Sequence, residues 1–306
     1  MIGGRSGYCS TIVSHNNKLY LGSMDAIENR YHILELDPYS EELRVVGTDY
    51  PSWENITLDS FGRLILNSLK TDGTYELKII NYNSGESTPY VEGIHLNRLG
   101  IAFDSDQNLY AKEGETEGIK KVHLEEHYDP PLDISNEPLF YDFSSMPGLV
   151  NRDFFDVNSQ QEIFIPVRDT GEIVRGDMYG NLEVFATGFS RPVHAKFIEE
   201  HGALYITDWG NGIFKISAPD WLLPNIDFVI ADVENCEIDQ GIKNSLIIKL
   251  DKASNSIRDG KINAAIGQIQ AFQHLVLAQI GHKIPIDLAD SWIAKTNDIL
   301  VVLSDY

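Results

Sequence analysis

Oxygen-bearing side chains at the starts of repeated strand units are the first candidates for chemistry in this chain. Counting four residues back from the inward-facing apolar residue of each unit gives Cys9, Glu54, Leu99, Asn151 and Val193. Of these five, only Glu54 and Asn151 carry oxygen ligands, and such ligands suit a hard divalent cation such as Ca²⁺. A cation at this place would polarise an ester or lactone carbonyl or activate a water molecule.

A histidine, His194, follows the last of these positions. Its imidazole titrates near neutral pH, so His194 is a candidate general acid or base beside Glu54, and Arg152 completes the candidate catalytic set. As a metal ligand it would shift the preference from Ca²⁺ or Mg²⁺ toward Mn²⁺ or Zn²⁺. Two structural alternatives stay open: a histidine held by hydrogen bonds, and pairing of Glu54 with Arg98 or Arg152 across a solvated channel.

Polar and aromatic residues near the same strand starts are candidate substrate contacts. Flat aromatic rings beside polar groups suit a sugar or another amphipathic ligand. The predicted contacts are Trp53, Asn55, Asn97, Asp208 and Trp209. Blade packing is the alternative for the aromatic residues, and a turn-forming role is the alternative for Asp208. No phosphate-binding glycine loop, nucleophile elbow or His-Glu-x-x-His helix occurs in the sequence, so nucleotide hydrolysis, serine-esterase and zincin chemistries have no support.

A repeated pattern of short strands must position these residues. Apolar strand segments such as Lys18–Leu21, Arg63–Leu66 and Ala203–Ile206 recur five times, at spacings of 45, 45, 54 and 41 residues. Four short strands per unit of about 45 residues, without intervening helices, are typical of a β-propeller blade. We therefore predict an all-β propeller, five- or six-bladed, with five countable four-stranded repeats over residues 8–50, 51–93, 94–146, 147–189 and 190–233.

The period of the apolar residues changes from two to 3.6 after about Asp239. Leu246, Leu250, Ala253 and Ile257 fall on one helical stripe, and the pattern continues through two further segments. We therefore predict a small three-helix bundle over residues 236–306, preceded by a propeller domain over residues 1–235.

The composition describes an acidic globular protein. The chain has 306 residues, with 46 Asp and Glu against 24 Lys and Arg, which gives a net charge of −22. Nucleic acid is an improbable partner because phosphate binding needs clustered basic residues. No apolar run reaches the roughly 18 to 20 residues of a membrane helix, so membrane insertion is not expected. No secretory signal is visible at the N-terminus. The two cysteines are too few for a disulfide framework.

One segment resembles the blade motif of NHL-type and gluconolactonase or regucalcin-like propellers. It runs from Arg191 to Phe197 and continues through the string Gly202–Ile213, and residues 51–66 and 98–110 are similar to the same motif. The resemblance covers residues 8 to about 220 and implies the propeller fold. It specifies function less well, because such propellers include lactonases, streptogramin lyases and plain binding modules.

The same resemblance implies a ligand set. In gluconolactonase-like propellers the starts of the inner strands supply a carboxylate, an amide and a second carboxylate to one divalent cation. Glu54 and Asn151 match the first two ligands, Val193 stands at the third, and His194 is the neighbouring candidate. Streptogramin lyase-like propellers use a histidine and a glutamate with Mg²⁺. We therefore predict a metal-dependent hydrolase or lyase that acts on a lactone or ester-type small molecule, with a non-catalytic glycan- or protein-binding propeller as the alternative.

The C-terminal segment resembles a helical module found at the end of secreted or surface proteins of bacteria and archaea. The likeness is carried by short strings between Gly241 and Asp290, including Lys249–Ala253 and Gln270–Phe272. It implies an exported protein, with an extracellular or cell-surface location, and a cytoplasmic location is the alternative. A protein partner that binds through the C-terminal helices is a further expectation. This resemblance implies nothing about catalytic chemistry.

Overall fold

The computed structural model describes residues 7–25, 30–50, 55–95, 100–114, 116–146, 149–150, 153–304 and 306. For residues 7–10, 24–25, 30, 49–50, 55 and 200 it describes the main chain alone. Twenty strands precede four α-helices along the described chain. The predicted all-β propeller is confirmed as a five-bladed propeller.

The strands of each blade follow one another in the chain. The first blade contains β1 (Gly7–His15), β2 (Lys18–Asp25), β3 (Arg30–Leu36) and β4 (Leu43–Tyr50). The second contains β5 (Asn55–Leu58), β6 (Leu64–Leu69), β7 (Tyr75–Ile80) and β8 (Ser87–Ile94). The third contains β9 (Ile101–Phe103), β10 (Asn108–Glu113), β11 (Gly118–His123) and β13 (Leu139–Asp142), while β12 (Leu132–Asp133) pairs in parallel with β8.

The fourth and fifth blades continue this order. The fourth contains β14 (Asp156–Val157), β15 (Ile163–Val167), β16 (Glu172–Gly176) and β17 (Leu182–Thr187). The fifth contains β18 (Pro192–Ile198), β19 (Ala203–Asp208) and β20 (Gly212–Ser217). Among the described residues the fifth sheet therefore has three strands, where the sequence predicts four.

The second strands of the second, third and fourth blades are largely buried on both faces, because neighbouring blades cover them. Leu64, Ile65 and Leu66 in β6 are fully buried, as are Leu109 and Tyr110 in β10. Separate apolar clusters lie between the first and second, the second and third, and the third and fourth blades. This burial on both faces explains the continuous apolar runs of these second strands in the sequence.

The helical region contains four helices rather than the predicted three. They are α1 (Leu223–Asn235), α2 (Gln240–Arg258), α3 (Ile262–Leu277) and α4 (Ile286–Leu303). The last three correspond to the predicted helices, and the predicted stripe of α2 is buried. The additional helix α1 lies in residues that we assigned to the fifth blade. Pro224 in its first turn suits a helix start, and Ile226, Val229 and Val233 form its buried face.

The chain divides into two compact units. The first contains residues 1–157, 161–195 and 208–211, and the second contains residues 158–160, 196–207 and 212–306. The second unit thus includes β20, most of β19 and all four helices. Its apolar core joins Leu222 to α1 and to side chains such as Leu250, Phe272 and Trp292.

Candidate functional site

Most of the predicted site residues lie outside the described residues. These are Trp53, Glu54, Asn97, Asn151 and Arg152. Asn55 is described by its main chain alone, which begins β5 and pairs with Asn67. The structure places His194, Asp208 and Trp209. The predicted metal and catalytic set therefore stays a prediction.

The described part of the candidate site is the end of the blades at which the innermost strands begin, which we call the start face. The first two strands of a blade are antiparallel, so the end of the second strand lies beside the start of the first. Asn67 in β6 pairs with Asn55, and the Lys112 N–H in β10 donates to the Gly100 carbonyl at 2.8 Å. Arg168 and Asp208 stand at the corresponding ends of β15 and β19.

An ion pair with a buried carboxylate lies at the start face. The Arg168 guanidinium donates from Nε to Asp153 Oδ2 at 2.7 Å and from Nη2 to Oδ1. Asp153 is only 3% exposed. Burial raises the pKa of Asp153, and the hydrogen bonds and charge of Arg168, with the charges of Lys112 and Arg191, offset that rise only in part. The carboxyl therefore titrates above its ordinary range.

Lys112 supplies a second buried charged group. Its side chain is fully buried and lies against Gly100. A Cβ at Gly100 would come within 2.7 Å of Cβ and 3.0 Å of Cε of Lys112, so the glycine leaves the space through which the lysine stem passes. Fully buried lysines are rare in folded proteins, and ionisable groups in such places are candidates for function.

Asn67 adds an unsatisfied amide at this end of the second blade. It is 1% exposed, and neither its Oδ1 nor its Nδ2 has a hydrogen-bond partner in the described part of the chain. Because buried amides are normally hydrogen-bonded, this group has donor and acceptor capacity for a water molecule or a ligand.

His194 is half-buried, and its ring lies 5.0 Å from the ring of Phe154 with an interplanar angle of 44°. The main chain around it is fixed, because the Phe154 N–H donates to the Val193 carbonyl at 3.3 Å and the Ala195 N–H donates to the Phe154 carbonyl at 3.2 Å. These bonds place His194 beside the segment that carries Asp153.

Asp208 holds a turn. Its carboxylate accepts the Ser190 N–H at 2.8 Å, the Arg191 N–H at 2.6 Å and Asn211 Nδ2 at 3.0 Å. Burial opposes its ionisation, but the hydrogen bonds from Asn211 and the two backbone N–H groups outweigh burial and keep the pKa of Asp208 below its usual range. These contacts match the turn-forming alternative, and a substrate contact from Asp208 stays a prediction.

Trp209 is 63% exposed, and the Arg191 guanidinium lies 4.4 Å from its ring centroid. The Trp209 N–H also donates to the Arg191 carbonyl at 2.9 Å. The pair offers a ligand a flat aromatic surface beside a positive charge.

The described residues of the start face do not by themselves form a donor set for a divalent cation. No group of three or more His, Cys, Asp or Glu side chains suited to a metal occurs among the described residues. Asp153 is held by Arg168, and the neighbouring charged groups, Lys112 and Arg191, are cations. The predicted oxygen ligands Glu54 and Asn151 lie outside the described residues.

Lys112, Asp153 and Arg168 are not among the site residues predicted from the sequence. A signal for Asp153 was present, because it lies two residues after Asn151 at a predicted strand start. Lys112 lies near the end of β10 and Arg168 directly follows β15, and nothing in their local sequence distinguishes them from exposed residues at a strand end.

Several solved structures resemble this chain. A luciferin-regenerating enzyme is 13% identical with a TM-score of 0.51, over 69% of this chain and 78% of that chain. A protein of unknown function from Bacteroides thetaiotaomicron is 12% identical with a TM-score of 0.53, over 70% of this chain and 56% of that chain. The calcium-binding protein regucalcin from Agrobacterium tumefaciens is 14% identical with a TM-score of 0.44, over 69% and 89%.

The first two of these likenesses show the propeller fold alone. The predicted resemblance to propellers of this kind is confirmed at the level of the fold. Structures of regucalcin, a gluconolactonase and a virginiamycin B lyase also match, each with a TM-score below 0.5. No protein-family model matches the sequence, and no curated protein matches it significantly. None of the helices in the described chain has the length and apolar character needed to span a bilayer.

Proposed function

We propose that this protein is a hydrolase or lyase that acts on a small lactone or ester at the start face. The observation that carries the proposal is the pair between the buried Asp153 and the partly buried Arg168, within electrostatic range of the buried Lys112. Ionisable groups with perturbed pKa values cluster at functional sites more often than elsewhere. In a propeller, residues from separate blades converge where the inner strands begin, which suits a site for a small ligand.

The described side chains fit the charges that develop in ester chemistry. Attack on a lactone carbonyl places negative charge on its oxygen, and cations such as the buried Lys112 and the partly buried Arg168 stabilise that charge in a low-dielectric site. Asp153 is the proposed general base, because its raised pKa makes it a stronger base than an exposed aspartate.

Metal dependence is part of the proposal. Glu54, Asn151 and His194 are the proposed ligands, and Arg152 is a further proposed catalytic residue. Ca²⁺ suits the two oxygen ligands, with Mg²⁺, Mn²⁺ and Zn²⁺ as the alternatives. When bound, a divalent ion would polarise the carbonyl or activate water. The proposed location is extracellular or at the cell surface.

A turnover assay tests this function. The purified chain is screened against a panel of lactones and small esters, with and without added divalent cation, beside Asp153→Asn and Lys112→Met. Asp177→Asn is the matched control, because Asp177 holds an exposed turn through Tyr179 and Asn181. We expect each start-face variant to lower kcat/KM about 100-fold, with folding checked by circular dichroism. Undiminished turnover by Asp153→Asn would exclude Asp153 as the general base.

Elemental analysis tests the metal separately. Buffer-exchanged parent protein is compared with Glu54→Gln, and each is melted with and without a chelator. Near-stoichiometric metal that is lost in the variant is the expected result. Metal-free protein with melting curves that do not respond to the chelator would overturn metal dependence while leaving the turnover test in place.

The alternative function is recognition of a glycan or a protein without catalysis. The exposed Trp209 beside Arg191 favours it, because this arrangement suits the flat face of a sugar. Exposed apolar residues on the helices, including Phe228, Ile248 and Val301, are the proposed contacts for a protein partner. Absence of turnover across the panel, together with saturable quenching of tryptophan fluorescence by a glycan that Trp209→Ala abolishes, would select this function.

A further inference from the structure

A polar pocket lies between the first two blades, at the opposite end from the start face. Its volume is 440 Å³. It is lined by the β1–β2 turn, the start of β2, the end of β3, the start of β4 and the β7–β8 turn. In antiparallel blades these turns lie at the end where the inner strands finish. The pocket is therefore separate from the start face.

A buried carboxylate organises the floor of this pocket. Glu35 is 7% exposed and accepts hydrogen bonds from Lys18 Nζ at 3.0 Å, Arg44 Nη2 at 2.7 Å and the Tyr20 hydroxyl at 3.0 Å. The hydrogen bond from Arg44, with those from Lys18 and Tyr20, outweighs burial and lowers the pKa of Glu35 to about 2. Glu35 is thus ionised at neutral pH, and both its oxygens are engaged.

The two cations keep unused donors. A lysine ammonium carries three N–H donors and an arginine guanidinium carries five. Lys18 uses one for Glu35 and also lies 4.0 Å from Asp37. Arg44 uses Nη2 for Glu35 and for the Tyr82 carbonyl at 2.8 Å, and its Nη1 reaches the Asn83 carbonyl only at 3.5 Å. Both side chains are about two-fifths exposed, so these unused donors are accessible to solvent.

The rest of the lining is rich in amides and aromatic rings. The rings of His15 and Tyr82 are stacked 5.3 Å apart with an interplanar angle of 8°, and Asn16 Nδ2 lies 2.9 Å from His15 Nε2. The charges of Lys18, Arg44 and Glu35 sum to one positive charge in the lining, and Asp37 lies beside Lys18 outside it. The unused N–H donors of Lys18 and Arg44 are therefore the groups on which an anion would bind.

We propose that this pocket binds a small molecule that carries an oxyanion, either a carboxylate or a phosphate, with its oxygens on Lys18 and Arg44. The stacked His15–Tyr82 pair provides an apolar wall for the remainder of the molecule, as a sugar ring would use. Glu35 positions both cations and is not itself a contact. This site is independent of any catalysis at the start face.

Isothermal titration of the full chain at low ionic strength tests the proposal. The probes are D-glucuronate for a carboxylate, inorganic phosphate for a phosphate, and D-glucose as a neutral control. Saturable binding of glucuronate or phosphate, without binding of glucose, is expected, and the anion that binds identifies the source of the oxyanion. Absence of saturable binding by both anions would overturn the proposal.

A pair of lysine variants locates the site. Lys18→Met removes one pocket cation, and we expect it to weaken anion binding about tenfold or more. Lys70→Met is the matched control, because Lys70 forms a similar half-exposed ion pair with Glu92 at 3.1 Å and does not line the pocket. Equal affinity in both variants would show adventitious binding by the general surface and would refute the site. Because the readout is binding and not turnover, its failure is distinct from failure of the proposed enzyme activity.

Discussion

Replacing Glu35 with glutamine should lower the free energy of unfolding at neutral pH. It should also make that free energy less sensitive to a fall in pH. The pKa of Glu35 falls from 4.5 to about 2 on folding, chiefly because Arg44 donates to it. At 1.36 kcal/mol for each pKa unit, this difference is worth about 3 kcal/mol. The partners are about two-fifths exposed, so solvent screening reduces the expected loss to about 1–2 kcal/mol of the free energy of unfolding.

The dependence on pH has a definite sign. A carboxylate whose pKa is lowered in the folded state contributes its stabilisation above the unfolded pKa and loses it as the pH falls through the folded pKa. The difference between the parent and Glu35→Gln should therefore be full above about pH 5 and nearly absent at about pH 2. Urea unfolding followed by circular dichroism at several pH values measures this difference.

A matched variant separates this network from the general effect of removing a negative charge. Glu92→Gln removes one charge from a single half-exposed pair with Lys70, and we expect a change below about 0.5 kcal/mol. The reasoning fails if Glu35→Gln costs no more than Glu92→Gln at neutral pH. It also fails if the cost of Glu35→Gln is the same at neutral pH and near pH 2.

Three further outcomes are expected. Gly100→Ala should lower the free energy of unfolding by about 1–3 kcal/mol, measured by urea unfolding, because the new Cβ would come within 2.7 Å of Lys112 Cβ. Gly267→Ala should raise it by about 1 kcal/mol, because this α3 position has no atom within 4 Å of an added Cβ; an unchanged melting curve would contradict this. Arg168→Met should move the acidic limb of the pH–rate profile to higher pH, because Arg168 lowers the pKa of Asp153; an unmoved limb would exclude Asp153 as the ionising group.

The blades could be predicted from the sequence because each one repeats the same physical constraint. A second strand covered on both faces is apolar at successive positions, as at Leu64–Leu66, and polar turns separate it from its neighbours. The helices α2 to α4 could also be predicted, because apolar residues spaced three and four apart, such as Leu246, Leu250 and Ala253, indicate one face of an α-helix.

The end of the repeat was harder to predict from the sequence. Helix α1 lies largely within residues 190–233, which we assigned to the fifth blade by continuing the spacing of the preceding repeats. Ile226, Val229 and Val233 do have the three- and four-residue spacing of a helix, but that pattern extends over only 13 residues.

The start-face cluster could not be predicted, because its members meet only after folding. Asp153, Arg168 and Lys112 lie on two different blades, and the burial of Asp153 and Lys112 depends on packing that a one-dimensional pattern does not contain. The pocket around Glu35 could not be predicted for the same reason. Arg44 donates to carbonyls of the next blade that lie 38 and 39 residues further along the chain, and no local sequence motif indicates that contact.

The membership of the second compact unit bears on how this protein can be divided. Residues 196–207 and 212–306 belong together: Asn225 in α1 donates to the Glu199 carbonyl at 2.7 Å, and the Phe197 and Trp221 rings lie 5.1 Å apart, edge to face. A cut at residue 235, between the two predicted domains, would leave Leu222 and the buried face of α1 without the other three helices. The helical segment therefore cannot be exchanged or removed by itself. A recombined or shortened gene would have to keep residues 196–207 and 212–306 together.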